Sequence, residues 1–430
     1  MPQYGFLRLK CGGCGDEIIT AFSCKKRGFC PSCAARRSAE TAFHLCDEIL
    51  PYVPYRQFVV TYPIPLRYWL HTNKKLFSTM HGIVIAEIQR LYTAKHPGLK
   101  NPQAGIISFT QRWGSALNLN VHHHILVTDG VYHGGTSQFV KVKITNQDIE
   151  ELLHNISSQA LQHLQKEGYL DPQGEVVLHP DLDPLFDEYE SLKAMTYAST
   201  AGRIAFGPNA GQFVTKLGSG FGYSEEIPLA KGRLCFSQNG FSVHAGRAIN
   251  TLNREGLRQL IGYISRGPLA NERLEILADE KVKLKLKTPY RDGTSHLVLT
   301  YSEFIEKLAA LIPPPRSHLV RWSGAFGSNS PYRPHVVLNP EARKGFDFTD
   351  QEDAYRPKNY AWAIMLAKVF GIDVLKCEQC GGQLNPIAAL KDQAGIARYL
   401  RHVGINPLPP ARGPPESGKV VYLFDEIKSS

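Results

Sequence analysis

LNLNVHHHILVTDGVY, residues 117–132, is the stretch on which the fold of this chain turns. Apolar and other residues alternate over positions 117–127, the period-two pattern of a half-buried β-strand, and three consecutive histidines lie in its centre. Side chains at i and i+2 of a strand leave from one face, so His122 and His124 project together while His123 points the opposite way. Two imidazoles side by side make half of a metal site. Histidines hydrogen-bonded at a surface or in a core are the competing reading. Three of them in one apolar strand, followed by the turn signal Asp129-Gly130, favour the ligand pair.

The 430 residues exceed one typical core and suggest two or three units, and 43% hydrophobic content is ordinary for a folded globular chain. No apolar run reaches the roughly 18 residues needed to span a bilayer, and the N-terminus lacks a basic segment followed by an apolar core. A cytoplasmic location without membrane contact is therefore expected. The formal charge of +10 favours an anionic partner, of which nucleic acid is the commonest for a basic protein. The glycine-rich GSGFG at 218–222 is followed by no Lys-Ser or Lys-Thr and reads as a flexible loop, so no nucleotide cofactor is implied.

Six of the nine cysteines fall in the first 46 residues and two more form the pair Cys377 and Cys380. In a reducing compartment such clustering means metal before disulfide. Cys11, Cys14, Cys30 and Cys33 form C-x2-C-x15-C-x2-C, two knuckles able to close a tetrahedral zinc site, with Cys24 as a competitor for the place of Cys30. Lys25, Lys26 and Arg27 between the knuckles and Arg36 and Arg37 after them read as a phosphate-contacting surface or as a solvated basic face. Cys377 and Cys380 lack a matching pair after them. They either recruit a ligand such as His402 for a second zinc or are a relict.

Beyond the cysteine-rich segment the pattern is mixed. Strands are predicted at 58–62, 104–112 and 139–144, helices at 74–94 and 147–165, and a largely helical insertion to about residue 200. In the stretch 241–273, Asn253 caps a helix whose Leu257, Leu260 and Ile261 share a face, with Tyr263 near its end. Tyr263 reads either as a packed core-edge tyrosine or, with Arg254, Arg258 and Arg266 around it, as a phenol near a bound phosphate. Lys281, Lys283, Lys285 and Lys287 alternate with apolar residues, which suits a solvated strand edge or a surface tracking single-stranded DNA, aided by Tyr290. A strand at 295–300 beside them, helices at 301–311 and 360–370, and a proline- and glycine-rich tail over 407–418 complete the plan.

Five stretches together, FSCKKRGFCPSCAARR, SALNLNVHHHILVTDGV, LIGYISRGPLANERL, PYRDGTSHLVL and IPPPRSHLVRWSGAF, resemble the transposases of the insertion sequence 91 type, bacterial rolling-circle enzymes of the HUH nuclease superfamily. The resemblance runs over nearly the whole length. It implies that His122 and His124 are the two metal-binding histidines, that Tyr263 is the nucleophile, and that the N-terminal zinc segment binds DNA. Founding members carry two tyrosines four residues apart, whereas Gln259 stands four before Tyr263, as in a single-tyrosine branch. The family's zinc segment usually begins further upstream, so Met1 is expected to mark a shortened N-terminus.

The chemistry asks for these residue types. Cutting a phosphodiester while keeping the energy of the bond requires a covalent intermediate, and a tyrosine phenol can attack phosphorus and later leave. With a phenol pKa near 10, a divalent cation is needed to polarise the phosphate. His122 and His124 supply two ligands for Mg2+ or Mn2+. The resemblance implies a third from the helix bearing the tyrosine, but Gly267 stands four after Tyr263 and cannot serve, so His244 is the candidate substitute.

The resulting expectation is an α+β protein with an HUH-nuclease-like antiparallel sheet and helices behind a small zinc-binding module. Its parts are a DNA-recognition module at 1–50, a catalytic domain at 51–275 with an insertion at about 147–200, a basic extension at 276–345 and a C-terminal region at 346–430. It would nick and rejoin single-stranded ends of its own mobile element through a 5'-phosphotyrosine. A replication initiator or relaxase and a non-catalytic zinc-dependent DNA-binding protein are the alternatives, with a small-substrate metal hydrolase behind them. Oligomeric state is left open.

Overall fold

A computed structural model describes residues 2–21, 30–171, 184–217, 232–277, 280–290, 292–338 and 376–407. Lys25, Lys26, Arg27, Cys24, the GSGFG stretch, the 360–370 helix and nearly all of the tail lie outside the described residues. The fold is α+β, and its strand pairs are antiparallel.

The histidine stretch forms β5 (Leu119–Thr128), an inner strand of a six-stranded sheet ordered β14-β4-β5-β3-β10-β9. Its companions are β3 (Tyr55–Thr61), β4 (Gly105–Trp113), β9 (Cys235–Gln238), β10 (Phe241–Ile249) and β14 (Val320–Gly324). The strand is not half-buried as its alternation predicts: every residue from Val121 to Thr128 is buried. Both faces are covered, and histidines fill what would otherwise be its polar positions.

One face packs on α2 (Ile64–Thr72) and α3 (Lys74–Ala94), in a core that joins Phe58, Val60, Val121 and Ile125 to Phe77, Met80, Val84 and Ile88. The helix forms because these apolar residues recur at spacings of three and four, and because the Asn73 side chain accepts from Leu76 N. Against the other face lies α7 (Arg254–Ile264), whose Leu257, Leu260, Ile261 and Ile264 meet Ile107, Phe109 and Leu126. Burying each such side chain is worth about 1.5–3 kcal/mol. As expected, Asn253 caps α7, its side chain accepting from Gly256 N at 2.8 Å. Helix α1 (Pro31–His44) packs on α7, with Ser38 Oγ donating to Gly262 O.

The insertion supplies α4 (Asn146–Lys166), which carries a Thr145–Asp148 capping box, then α5 (Pro184–Glu188) and α6 (Glu190–Thr200). A small hairpin, β6 (Gly130–Tyr132) with β7 (Phe139–Lys141), precedes it.

A second sheet runs β11-β12-β13-β8, from β8 (Thr215–Leu217), β11 (Leu274–Leu277), β12 (Lys281–Lys285) and β13 (His296–Thr300). The lysine strand β12 is paired on both sides, which removes the strand-edge reading of its lysines. Helix α8 (Tyr301–Ala309) follows, capped by Thr300 and Glu303, and a short α9 (Arg333–Val336) closes this part.

The third sheet joins the two ends of the described chain. Its order is β15-β1-β2, with β1 (Phe6–Cys11) between β2 (Glu17–Ala21) and β15 (Leu384–Leu390). Phe6 is buried against Ile396 and Leu400 of α10 (Gln393–His402). Residues expected in a separate C-terminal region thus complete the N-terminal sheet.

Candidate active site and metal centre

On β5 the imidazoles of His122 and His124 stand on one face with ring centroids 5.0 Å apart. His123 points to the other side. It is fully buried, its Nδ1 is 3.1 Å from Thr110 Oγ1, and its ring packs against His81 and Phe77. The period of two therefore separates two paired histidines from one built into the core.

Both paired rings are held through Nδ1. His122 Nδ1 donates to Asn120 O at 2.8 Å, which leaves Nε2 as a lone-pair donor. His124 Nδ1 lies 2.8 Å from the side-chain amide of Gln57 on β3. Burial, opposed by the Asn120 bond and reinforced by the charges of Arg67 and Lys287, pulls His122 down to about 4. Burial, then the neighbouring His122 and the charges of Lys287 and Arg266, pull His124 to about 3. Both are neutral at pH 7, the form that binds metal. Gln57 carries no motif and lies just before the strand predicted at 58–62, so nothing in the sequence marks it.

Helix α7 brings Tyr263 to this pair, its ring centroid 6.0 Å from that of His124. Leu260, Ile261 and Ile264 anchor the helix while Tyr263, on its flank, stays 41% exposed. Gln111 of β4, directly opposite His122, donates to Ile264 O at 2.8 Å and ties the helix end to the sheet. Lys287 Nζ donates to Tyr263 Oη at 3.0 Å, and the Arg266 guanidinium lies 4.6 Å from the ring centroid. Half-burial pushes the phenol up, but the bond and charge of Lys287, with Arg266 and Arg247, outweigh it and bring the phenol below its ordinary value.

Several expected residues are placed otherwise. His244 does not join the pair: it lies on β10, two strands from β5 across β3, so roughly 10 Å separates the backbones. Among the described residues no third His, Cys, Asp or Glu completes a set with His122 and His124. Arg254 is spent on structure, donating to the carbonyls of Cys46, Leu50 and Pro51. Arg258 pairs with Asp47 at 3.0 Å and Glu255 at 2.7 Å. Arg36 pairs with Glu40 at 3.2 Å, Lys283 with Glu275 at 3.0 Å, and Arg37 is partly buried. Lys281 and Lys285 are exposed, whereas Lys287 and Arg266 converge on the tyrosine.

The cysteines are grouped differently from the expectation. The sulfurs of Cys11, Cys14, Cys377 and Cys380 all lie within 4.8 Å of one another. Cys30, the N-cap of α1, and Cys33, in its first turn, are outside this group. The pair Cys377 and Cys380 thus stands beside Cys11 and Cys14 rather than apart from them. Two of the pairs across the group, Cys11 to Cys380 at 3.4 Å and Cys14 to Cys377 at 3.6 Å, are far from the ~2.05 Å of a disulfide. Four thiolates at about 2.3 Å from a tetrahedral zinc would stand about 3.8 Å apart, which this group fits.

Residues 105–332, just over half of the chain, match the family model "Putative transposase" (Y2_Tnp). Residues 1–62 match the "Transposase zinc-binding domain" (Zn_Tnp_IS91). No curated protein and no solved structure matches. The first match contains β4, β5, α7 and Lys287; the second contains Cys11 and Cys14, and with the four-cysteine cluster it supports a structural zinc. The chain belongs to the IS91-type transposases, DNA-processing enzymes with a zinc-binding N-terminal domain.

Proposed function

We propose that this transposase nicks and rejoins single-stranded DNA by a rolling-circle mechanism, with Tyr263 as nucleophile. The observation that carries the reading is the approach of the Tyr263 ring to His124, on the sheet face that also holds His122. Lys287 holds the phenol oxygen and favours its ionised form. The phenolate attacks phosphorus, the bond from phosphorus to the 3' oxygen breaks, and that oxygen leaves with the bonding pair and takes up a proton. The strand is left with a free 3' hydroxyl and a 5'-phosphotyrosine, which a later 3' hydroxyl reverses.

His122 and His124, neutral and with Nδ1 engaged, suit two ligand places for Mg2+ or Mn2+ when the Gln57 amide presents its oxygen to His124. Such an ion would supply Lewis-acid polarisation of the scissile phosphate, with its other positions open to phosphate oxygens and water. Arg266 and Lys287 add positive charge where the phosphate would sit, and Lys281 and Lys285 extend it along β12.

The test is covalent capture of 3'-labelled single-stranded DNA from the ends of the encoding element, with Mn2+ or Mg2+. A labelled adduct that vanishes in Tyr263→Phe is expected. DNA binding without an adduct in the unmodified protein would instead favour a non-catalytic DNA-binding role.

A further inference from the structure

We infer that the two ends of this chain share one zinc ion, bound by Cys11 and Cys14 from the N-terminal segment and Cys377 and Cys380 from the C-terminal one. The inference is independent of the proposed cleavage chemistry. The family match to the zinc-binding domain ends at residue 62, so half of this ligand set lies outside it.

The two contributing segments have the same local construction. CGGCG at 11–15 and CEQCG at 377–381 are both C-x-x-C-G, and the glycine after each second cysteine has positive φ, +76° at Gly15 and +73° at Gly381. Glycine adopts that left-handed turn without the strain a side chain would incur. The same backbone bond closes each turn, Gly15 N donating to Cys11 O at 3.1 Å and Gly381 N to Cys377 O at 2.9 Å. Amides also face two of the sulfurs, Gly13 N donating to Cys11 Sγ at 3.3 Å inside the first knuckle and Gly382 N to Cys380 Sγ at 3.4 Å just after the second. Such bonds stabilise thiolates. CPSCA at 30–34 has no such glycine and runs directly into α1, so its local construction differs from theirs.

The two knuckles also lock together without the metal. Gly12 N donates to Gln383 O at 3.0 Å, and Cys11 is paired with Leu384 across β1 and β15. A β-carbon on Gly382 would stand 2.9 Å from Cys11 Sγ, so the second knuckle approaches the first as closely as glycine permits. Cys11 and Cys377 are buried with Leu9 and Leu384, while Cys14 and Cys380 face solvent. Four soft donors in one cluster suit zinc, the metal of the domain that the N-terminal residues match. The ion closes a loop of 363 residues between Cys14 and Cys377, and closing so long a loop is where a metal clip restricts the unfolded chain most.

The experiment is zinc content of the full chain, by mass spectrometry, in three variants: Cys11→Ser with Cys14→Ser, Cys377→Ser with Cys380→Ser, and all four together. The expected result is that each pair loses one equivalent and the quadruple variant loses no more than one. Additive losses, or full zinc in the Cys377/Cys380 variant, would overturn the shared site. Because serine variants can misfold, Cys380→His, which keeps a ligand, is examined with cobalt in place of zinc. Its ligand-field bands shift to higher energy if Cys380 binds the metal, and an unchanged spectrum refutes the assignment.

Discussion

Replacing Lys287 by methionine removes the ammonium that lies 3.0 Å from the Tyr263 oxygen while keeping the aliphatic stem. A hydrogen bond from a charged donor is worth about 1.5–3 kcal/mol when buried. Tyr263 is 41% exposed, so solvent screens part of this, and about 1–2 kcal/mol is the reasonable loss. That corresponds to cleavage slower by roughly 5- to 30-fold. Single-turnover adduct formation, with enzyme saturating over single-stranded DNA, measures it apart from binding. Lys287→Arg should recover part of the rate. Unchanged cleavage at saturation, with only the DNA affinity reduced, would mean that Lys287 tracks the DNA backbone and does not act on the phenol.

His124→Ala should abolish adduct formation while leaving most single-stranded DNA binding, since the cationic residues remain; retained cleavage would remove the histidine pair from the chemistry. Stability should fall on acidification: His81 and His122 titrate at about 4 in the folded chain against 6.5 for free histidine. Below pH 6.5 the unfolded state takes protons first, so the stability present above pH 6.5 is lost as pH drops towards 4, by about 2 kcal/mol per histidine at pH 5. Urea unfolding at pH 7 and pH 5 reads this, and equal midpoints would contradict the buried, neutral assignment. Gly382→Ala, whose new carbon would meet Cys11 Sγ at 2.9 Å, should lower zinc affinity and melting temperature together, whereas Gly98→Ala, in open space, should do neither.

Local patterns were legible where a short-range signal specifies them. The helix at 74–94 appears with those bounds as α3, and β12 and β13 pair where alternation and adjacency placed them. The period of two alone separated His123 from its neighbours, and the spacing of Leu257, Leu260 and Ile261 placed Tyr263 on the flank of its helix. What failed depended on distant partners. The double-sided burial of β5 follows from α7 covering a second face, which no alternation within the strand records. The residue type of His244 suits a metal ligand, but the strand order puts β3 between it and the pair.

The cysteines show the same division most sharply. Sequence proximity favoured Cys30 and Cys33 as partners of Cys11 and Cys14, and the C-x-x-C-G repeat at 377–381 was the overlooked hint. By itself the sequence determined the residue types, their faces and their turn chemistry, because these depend on neighbours a few positions away. Which knuckles meet, which lysine reaches the tyrosine and which strand is central were decided by tertiary structure, because pairing β1 with β15 and seating α7 on the sheet bring together residues hundreds of positions apart.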